Sequence, residues 1–268
     1  MSERFPSIRW GLSTLGCPAY SLPQVLELAD PFGMEFLELR TLSGSGDIAE
    51  TLYRPENIAC ARNIAEKGRC RVIDSTFHIA LDSEDERREL CAVARTADDF
   101  GIPYIRVFGH FPVLPELTGE VLRTCAGNLR WFREQRFSAQ LALETHDSFC
   151  QVRRVLALCD AYGSALPVVW DAHHTKRFAG EDLAESFRLL GKSIVSVHFK
   201  DSHFEGPERK YAGDLPGAGE MPLEELFTLL EENKVRCPVI FEYEKFWQPS
   251  LPPLEQALEA WNKIIRSI

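Results

Sequence analysis

Four apolar segments of the sequence run directly into residues that bind metal ions or transfer protons. They deliver Glu144 in LALETHD, Asp171 in VVWDAHH, His198 in SVHFKDSH and Glu242 in VIFEYE. When these residues are brought to one place, the three carboxylates repel one another unless a cation lies among them. This oxygen-rich donor set favours a hard or borderline divalent ion, Mn²⁺, Mg²⁺, Co²⁺ or Zn²⁺, without choosing among them. The residue types therefore predict one shared metal site.

The segments that end in these residues have the features of inner strands in a parallel sheet. Residues 194–197 are mostly β-branched and apolar, which favours a buried strand. Asp171 follows Glu144 by 27 residues, His198 follows Asp171 by 27, and Glu242 follows His198 by 44. About thirty residues accommodate one strand, one helix and two loops, so the spacing indicates successive strand–helix units. Because parallel strands end on one face, the four side chains are expected to meet there.

The same alternation of strand-like and helix-like segments extends over the whole chain. Strands are predicted at 10–15, 36–40, 71–77, 103–108, 138–147, 166–174, 193–203 and 237–244. Capping patterns such as Ser21-x-x-Gln24 and Ser83-x-x-Glu86 begin the intervening helices. We therefore expect an α/β fold, a parallel eight-stranded (β/α)8 TIM barrel, as a single domain over residues 1–268. A doubly wound open sheet is disfavoured because no G-x-G-x-x-G turn follows the first strand.

Composition and charge argue against several classes of function. The formal net charge is −10 with a pI near 5.3, so no overall basic field attracts nucleic acid. No apolar window reaches the length of a membrane span, and the first residues lack the apolar run of a signal peptide. The eight cysteines include no C-x-x-C pair and are expected to be small buried groups in a reducing compartment. The sequence predicts a cytoplasmic protein without a membrane or nucleic-acid partner.

One long stretch, residues 204–221, interrupts the alternation after the seventh predicted strand. It is rich in glycine, proline and charged residues and is expected to be irregular. Loops of this size are usually functional or mobile. Its place near the expected barrel mouth leaves two interpretations open, a lid and a solvated excursion.

In their order along the chain, these motifs resemble those of the xylose-isomerase-like TIM barrel superfamily, in particular its sugar and sugar-phosphate isomerases and epimerases. LETH at Glu144, D-x-x-H at Asp171, HFKD at His198 and FEYE at Glu242 carry the resemblance, and the RVFG and GAGEMPLEEL stretches also fit. The resemblance covers nearly the whole chain. It implies that these four residues bind one divalent ion and that Glu144 and Glu242 also act as catalytic acid and base.

The activity implied by the resemblance is isomerisation or epimerisation of a small carbohydrate. One glutamate would remove the proton next to the carbonyl group, the ion would stabilise the enediolate, and the other glutamate would return a proton. His174, the histidine of D-x-x-H, is expected to hydrogen-bond substrate oxygens. Further candidates for the substrate-binding wall are His146, Lys200, Arg106 and His78.

Two departures from the family pattern leave details of the site open. Lys200, Asp201 and Ser202 stand where many ketose epimerases carry an arginine, so the sugar contacts do not carry over. Lys200 either lines the pocket or pairs with Asp201. Glu244 would point to the same side of its strand as Glu242 and competes with it as the ligand. Glu242 is our prediction.

Other functions fit the same frame. An inosose or sugar-acid dehydratase differs mainly in expelling water after the proton is removed. HFKDS and DAHH also resemble the endonuclease IV branch, but Pro216 stands where that branch needs a histidine ligand, and the chain is acidic. A non-catalytic binding barrel is the remaining alternative. The Phe246-Trp247 pair fits either a pocket wall or a contact between copies in a homo-oligomer.

Overall fold

Short apolar strands form the centre of the structure, and several of them are buried along their whole length. Their β-branched and aromatic side chains favour extended backbone. The computed structural model describes residues 4–80, 83–109, 116–206 and 210–266. The strands in these ranges are β1 (Trp10–Ser13), β2 (Phe36–Leu39), β3 (Cys70–His78), β4 (Tyr104–Phe108), β5 (Gln140–Glu144), β6 (Val168–Asp171), β7 (Ile194–Phe199), β8 (Asp201–Glu205), β9 (Lys210–Asp214) and β10 (Val239–Phe241).

Eight of these strands close into a parallel barrel, in the order β1, β10, β7, β6, β5, β4, β3, β2. The helices that accompany them are α1 (Leu22–Ala29), α2 (Ile48–Thr51), α3 (Ile58–Glu66), α4 (Glu84–Asp99), α5 (Gly119–Glu134), α6 (Val152–Tyr162), α7 (Leu183–Leu190), α8 (Leu223–Glu232) and α9 (Leu254–Arg266). The predicted (β/α)8 barrel is confirmed. The predicted caps are present as well, since the Ser83 hydroxyl accepts the Glu86 N–H at 3.2 Å where α4 begins.

By its internal contacts the chain divides into two compact units, Met1–Ala61 with His198–Ile268 and Arg62–Val197. In the first unit, β1 lies between β2 and β10. A Cβ atom at Gly11 would lie 2.8 Å from the Phe36 carbonyl oxygen, so this close strand approach requires glycine.

An aromatic cluster fills the core of the first unit. The Trp10 ring packs edge-on against Phe199, Phe227 and Trp261, with centroid distances of 5.8, 4.9 and 5.2 Å. These side chains come from β1, β7, α8 and α9 and are buried. The cluster holds Phe199, which follows His198 at the end of β7, against helices of the same unit.

In the second unit, β3, β4, β5 and β6 are parallel neighbours. Their register places Asp74 beside Arg106, and Arg106 beside Ala142. Val72, Ala142 and Val169 pack together as a buried apolar cluster. The register therefore brings an acidic and a basic side chain next to each other inside buried strands.

The stretch after β7 is more ordered than the sequence predicted. β8 and β9 form an antiparallel pair with His203 opposite Ala212, while residues 207–209 lie outside the described part. The expectation of one irregular stretch over 204–221 was therefore wrong, and the predicted strand 193–203 is two strands, β7 and β8. β8 and β9 are polar, and the pairing of such strands does not depend on an apolar face. Their sequences therefore gave no strand signal. Whether the hairpin acts as a lid stays a prediction.

The carboxylate of Asp201 organises the turn that follows this hairpin. It is buried and accepts backbone N–H groups of Gly217, Gly219 and Met221 at 2.8, 3.1 and 3.0 Å. Burial raises the pKa of Asp201, and these hydrogen bonds act in the opposite direction. A Cβ atom at Gly219 would lie 2.6 Å from the Ser202 nitrogen, so the tight turn needs glycine at this position.

The cysteines agree only in part with the expectation of small buried groups. All eight cysteines have free thiols, of which Cys17, Cys70 and Cys125 are buried and the others are half-buried. Among the described helices, none is long and apolar enough to cross a membrane.

Candidate metal centre

The four predicted ligands lie at or next to the carboxyl ends of barrel strands. Glu144 ends β5, Asp171 ends β6, His198 is near the end of β7 and Glu242 directly follows β10. All four are buried, and one ligand atom from each lies within 4.8 Å of the others. Donor atoms bound to one ion at about 2.0–2.3 Å are at most about 4.6 Å apart. The assignment of these four residues as ligands of one ion stays a prediction.

The orientation of His198 leaves one of its ring nitrogens directed toward a second ligand candidate. Nε2 of His198 lies 2.6 Å from Oε1 of Glu38, and Nδ1 lies 3.5 Å from Oε1 of Glu242. A carboxylate beside Nε2 favours the tautomer of His198 that carries its proton on Nε2. Nδ1 then offers a lone pair. Metal-binding histidines are commonly fixed by a carboxylate in this way.

Arg106 lies between two buried carboxylates of the second unit. Its Nη2 is 3.0 Å from Oδ2 of Asp74, and its Nη1 donates to Oε2 of Glu144 at 2.5 Å. The guanidinium also lies over the Phe108 ring, 4.2 Å from its centroid. The predicted pocket residue therefore contacts Glu144 directly and holds this glutamate in place.

Lys200 has a comparable position in the first unit. Its Nζ is 2.5 Å from Oε2 of Glu242 and 3.0 Å from Oε1 of Glu244. The alternative pairing with Asp201 is disfavoured, since that carboxylate bonds to the backbone of the turn after the hairpin. Glu244 also accepts hydrogen bonds from Tyr211 and Gln248 at 2.9 and 3.1 Å, which favours Glu242 over Glu244 as the ligand.

The other predicted substrate-binding residues belong to a row of contacting rings in the second unit. His78 stacks on Phe108 at 5.6 Å, Phe108 meets His146 edge-on at 5.0 Å, and His146 lies 4.2 Å from His174. The backbone N–H of His174 donates to Oδ1 of Asp171 at 2.8 Å. The structure therefore brings His78, His146 and His174 together, with His174 next to a metal-ligand candidate.

Sequence reasoning missed Glu38 and Asp74, which contact residues of the site. Both are buried acidic residues inside strands, FLEL and CRVIDSTFH. A buried carboxylate needs a partner, so a single acidic residue within a buried strand was the available signal. Tyr211 gave no such signal, because β9 was not predicted.

A cysteine close to the site does not enter the ligand set. The pKa of Cys150 is raised to about 12, mainly by burial and then by the negative charges of Asp171, Asp147 and Glu144. The four donors of the candidate site are oxygen and nitrogen atoms, and Cys150 is not among them.

Comparison with solved structures finds the same fold in several proteins. The chain superposes on the probable 3-DHS dehydratase AsbF of Bacillus anthracis with a TM-score of 0.73 at 17% identity, covering 95% of this chain and 98% of the other. The IOLI protein with a bound zinc atom gives 0.69 at 16% identity and covers 96% of both chains. D-psicose 3-epimerase of Clostridium cellulolyticum gives 0.69 at 12% identity, with 96% and 99% covered.

Comparison of the sequence with curated proteins finds no match. The family description "Xylose isomerase-like TIM barrel" matches residues 26–264, nearly the whole chain and all four ligand candidates. The chain therefore belongs to the xylose isomerase-like TIM barrel family.

Proposed function

We propose that this protein is a divalent-metal-dependent isomerase or epimerase of a sugar or sugar phosphate. The observation that carries the proposal is the convergence of Glu144, Asp171, His198 and Glu242, each able to offer one ligand atom within 4.8 Å of the others. Two of the four are glutamates, which can ligate an ion and also exchange protons with a substrate. The D-psicose 3-epimerase among the structures of the same fold supports the reaction class.

The donor set fits a divalent ion. Three carboxylates and one imidazole are buried together. Arg106 and Lys200 contact two of the carboxylates, and a divalent ion would compensate the remaining negative charge. Three oxygen ligands and one nitrogen ligand suit Mn²⁺, Mg²⁺, Co²⁺ or Zn²⁺. When bound, such an ion supplies Lewis-acid stabilisation of the negative charge that develops on substrate oxygens.

The residues of the chain divide the proton transfer between them. One of Glu144 and Glu242 removes the proton from the carbon next to the carbonyl group, and the other returns a proton. Arg106 and Lys200 contact these two carboxylates and orient them. The place where the proton returns decides between epimerisation and isomerisation.

The row of histidines forms the substrate-binding wall. His174, His146 and His78 present imidazole groups that hydrogen-bond hydroxyl groups of a carbohydrate. Phe108 lies between two of these rings and adds an apolar face. Direct substrate contacts of Arg106 and Lys200 stay predictions, because their nearest charged neighbours are carboxylates.

The eight free cysteines support a cytoplasmic location, since reducing compartments keep thiols free. Trp247, with 58% of its surface exposed, lies beside Phe246 and is available to a pocket or to a second copy of the chain. A homo-oligomer is therefore part of the proposal, and nucleic acid is not.

A solvent-deuterium experiment tests the reaction class. The metal-loaded protein is incubated in D₂O with ketoses, sugar acids and inososes, and products are analysed by mass spectrometry and NMR. We expect deuterium to enter carbon without net loss of water. Loss of water would instead identify a dehydratase, and cleavage of abasic DNA a phosphodiesterase. If the protein shows no exchange and no turnover with any of these substrates, that result contradicts an enzymatic role.

The Glu38→Gln variant tests the orientation of His198. Glutamine keeps the size of the side chain but removes the charge next to Nε2, so His198 is held less firmly as a ligand. The dissociation constant for Mn²⁺, measured by calorimetric titration, is expected to rise about 10–100-fold. Glu35→Gln is the control, because Glu35 lies just before the same strand and pairs with Arg9 at the surface. Equal affinities in the two variants would contradict the assignment.

A further inference from the structure

A continuous series of polar contacts connects the β8–β9 hairpin to the proposed metal centre. The Tyr211 hydroxyl, on β9, donates to Oε2 of Glu244 at 2.9 Å. The other oxygen of Glu244 lies 3.0 Å from Nζ of Lys200, and Nζ lies 2.5 Å from Oε2 of Glu242. All these residues belong to the first unit. The hairpin is thus linked to Glu242 through two side chains, in addition to the covalent connection after β7.

These contacts are buried, which distinguishes them from ion pairs at the protein surface. The Lys200 side chain is 3% exposed, and those of Glu242 and Glu244 are 4% and 14% exposed. An ammonium group in such a place needs carboxylate partners on more than one side. Lys200 contacts Oε2 of Glu242, while Oε1 of Glu242 is the oxygen that faces Nδ1 of His198. The position of Lys200 therefore sets which oxygen of Glu242 is directed toward the ligand histidine.

Glu244 contacts Lys200 and helps to set its position. Glu244 is in turn attached to the hairpin in two ways, directly by Tyr211 and indirectly through Gln248. Besides Tyr211, Gln248 donates to Oε2 of Glu244 at 3.1 Å and accepts the Gly213 N–H of β9 at 2.9 Å. Burial, followed by the charge of Glu244, raises the pKa of Tyr211. The hydroxyl therefore keeps its proton and acts as a donor to the carboxylate.

We infer that Tyr211 and Glu244 are positioning residues for the metal centre, which act through Lys200 to orient Glu242. This inference rests on the proposed function. It assigns to the hairpin a role in completing the site, and it gives Lys200 a role other than the direct substrate contact predicted from the sequence. The alternative is that the same contacts only attach the hairpin to the barrel.

The Tyr211→Phe variant separates these two roles. It keeps the aromatic ring and removes only the hydroxyl that donates to Glu244. The expected result is a rise of about tenfold in the Mn²⁺ dissociation constant, by analogy with other outer ligand-orienting groups. For a substrate found by deuterium exchange, kcat falls and KM changes little, because the substrate-binding wall is untouched. The unfolding temperature of the metal-free protein stays close to that of the wild type.

Tyr20→Phe is the matched control, since Tyr20 also donates to a glutamate, Glu255, at 2.7 Å. This pair is half-buried in the same unit and is not linked to Glu242 by the contacts described above. A purely structural role predicts equal, small effects of the two substitutions on Mn²⁺ affinity, and that result would overturn the inference. Failure of the wild type to bind Mn²⁺ would instead contradict the proposed function itself.

Discussion

The Glu144→Gln variant is expected to lose solvent-deuterium exchange by a factor of about 10³ or more. Glu144 is both a proposed ligand and one of the two groups that exchange protons, and a general base alone contributes about 10²–10⁴-fold. Glutamine has nearly the same shape but neither the negative charge nor a basic oxygen. The measurement is the rate of deuterium incorporation into the substrate identified in the screen, with Mn²⁺ in excess.

Glu259→Gln is the control for this experiment. Glu259 lies on the exposed face of α9, and its substitution should leave the exchange rate within twofold of the wild type. A Glu144→Gln protein that keeps exchange within tenfold of the wild type would show that Glu144 is not the proposed acid or base.

The Arg106→Met variant is expected to show the largest loss of stability. Methionine fills a similar volume but removes the guanidinium that contacts both Asp74 and Glu144, whose side chains are fully buried. Removing one partner from a buried ion pair typically costs about 3–5 kcal/mol, because charge is left in a poorly solvated place. Urea unfolding of the metal-free protein, followed by circular dichroism, measures the free energy of unfolding.

An exposed pair provides the comparison for Arg106. Arg188 lies 2.8 Å from Glu185, with both side chains more than half exposed, and such surface pairs contribute about 0–1 kcal/mol. Arg188→Ala should therefore change the free energy of unfolding little. A similarly small effect of Arg106→Met would mean that the two carboxylates are stabilised by other groups.

The barrel could be predicted because its signals are local. Apolar β-branched segments and capping residues mark each element, and the equal intervals between Glu144, Asp171 and His198 report successive strand–helix units. The β8–β9 hairpin could not be predicted in the same way. Its strands are polar, so no alternation of apolar residues indicates how they pair. The pairing of His203 with Ala212 is an example.

The candidate site was likewise only partly predictable from the sequence. The four proposed ligands were predictable because parallel strands deliver their carboxyl ends to one face. Glu38 and Asp74 lie in the middle of strands, where the sequence shows a charge but not its partner. From the sequence, Lys200 could either line the pocket or pair with the neighbouring Asp201. The observed contacts with Glu242 and Glu244 depend on the separate chain segment that follows β10.

Titration of the purified, metal-stripped protein with Mn²⁺ tests the central claim most directly. Wild-type protein should bind one ion per chain, and the Glu242→Gln and His198→Asn variants should bind it at least about 100-fold more weakly while remaining folded. A wild-type protein that binds no divalent ion, or variants that bind as tightly as the wild type, would contradict a metal centre at Glu144, Asp171, His198 and Glu242.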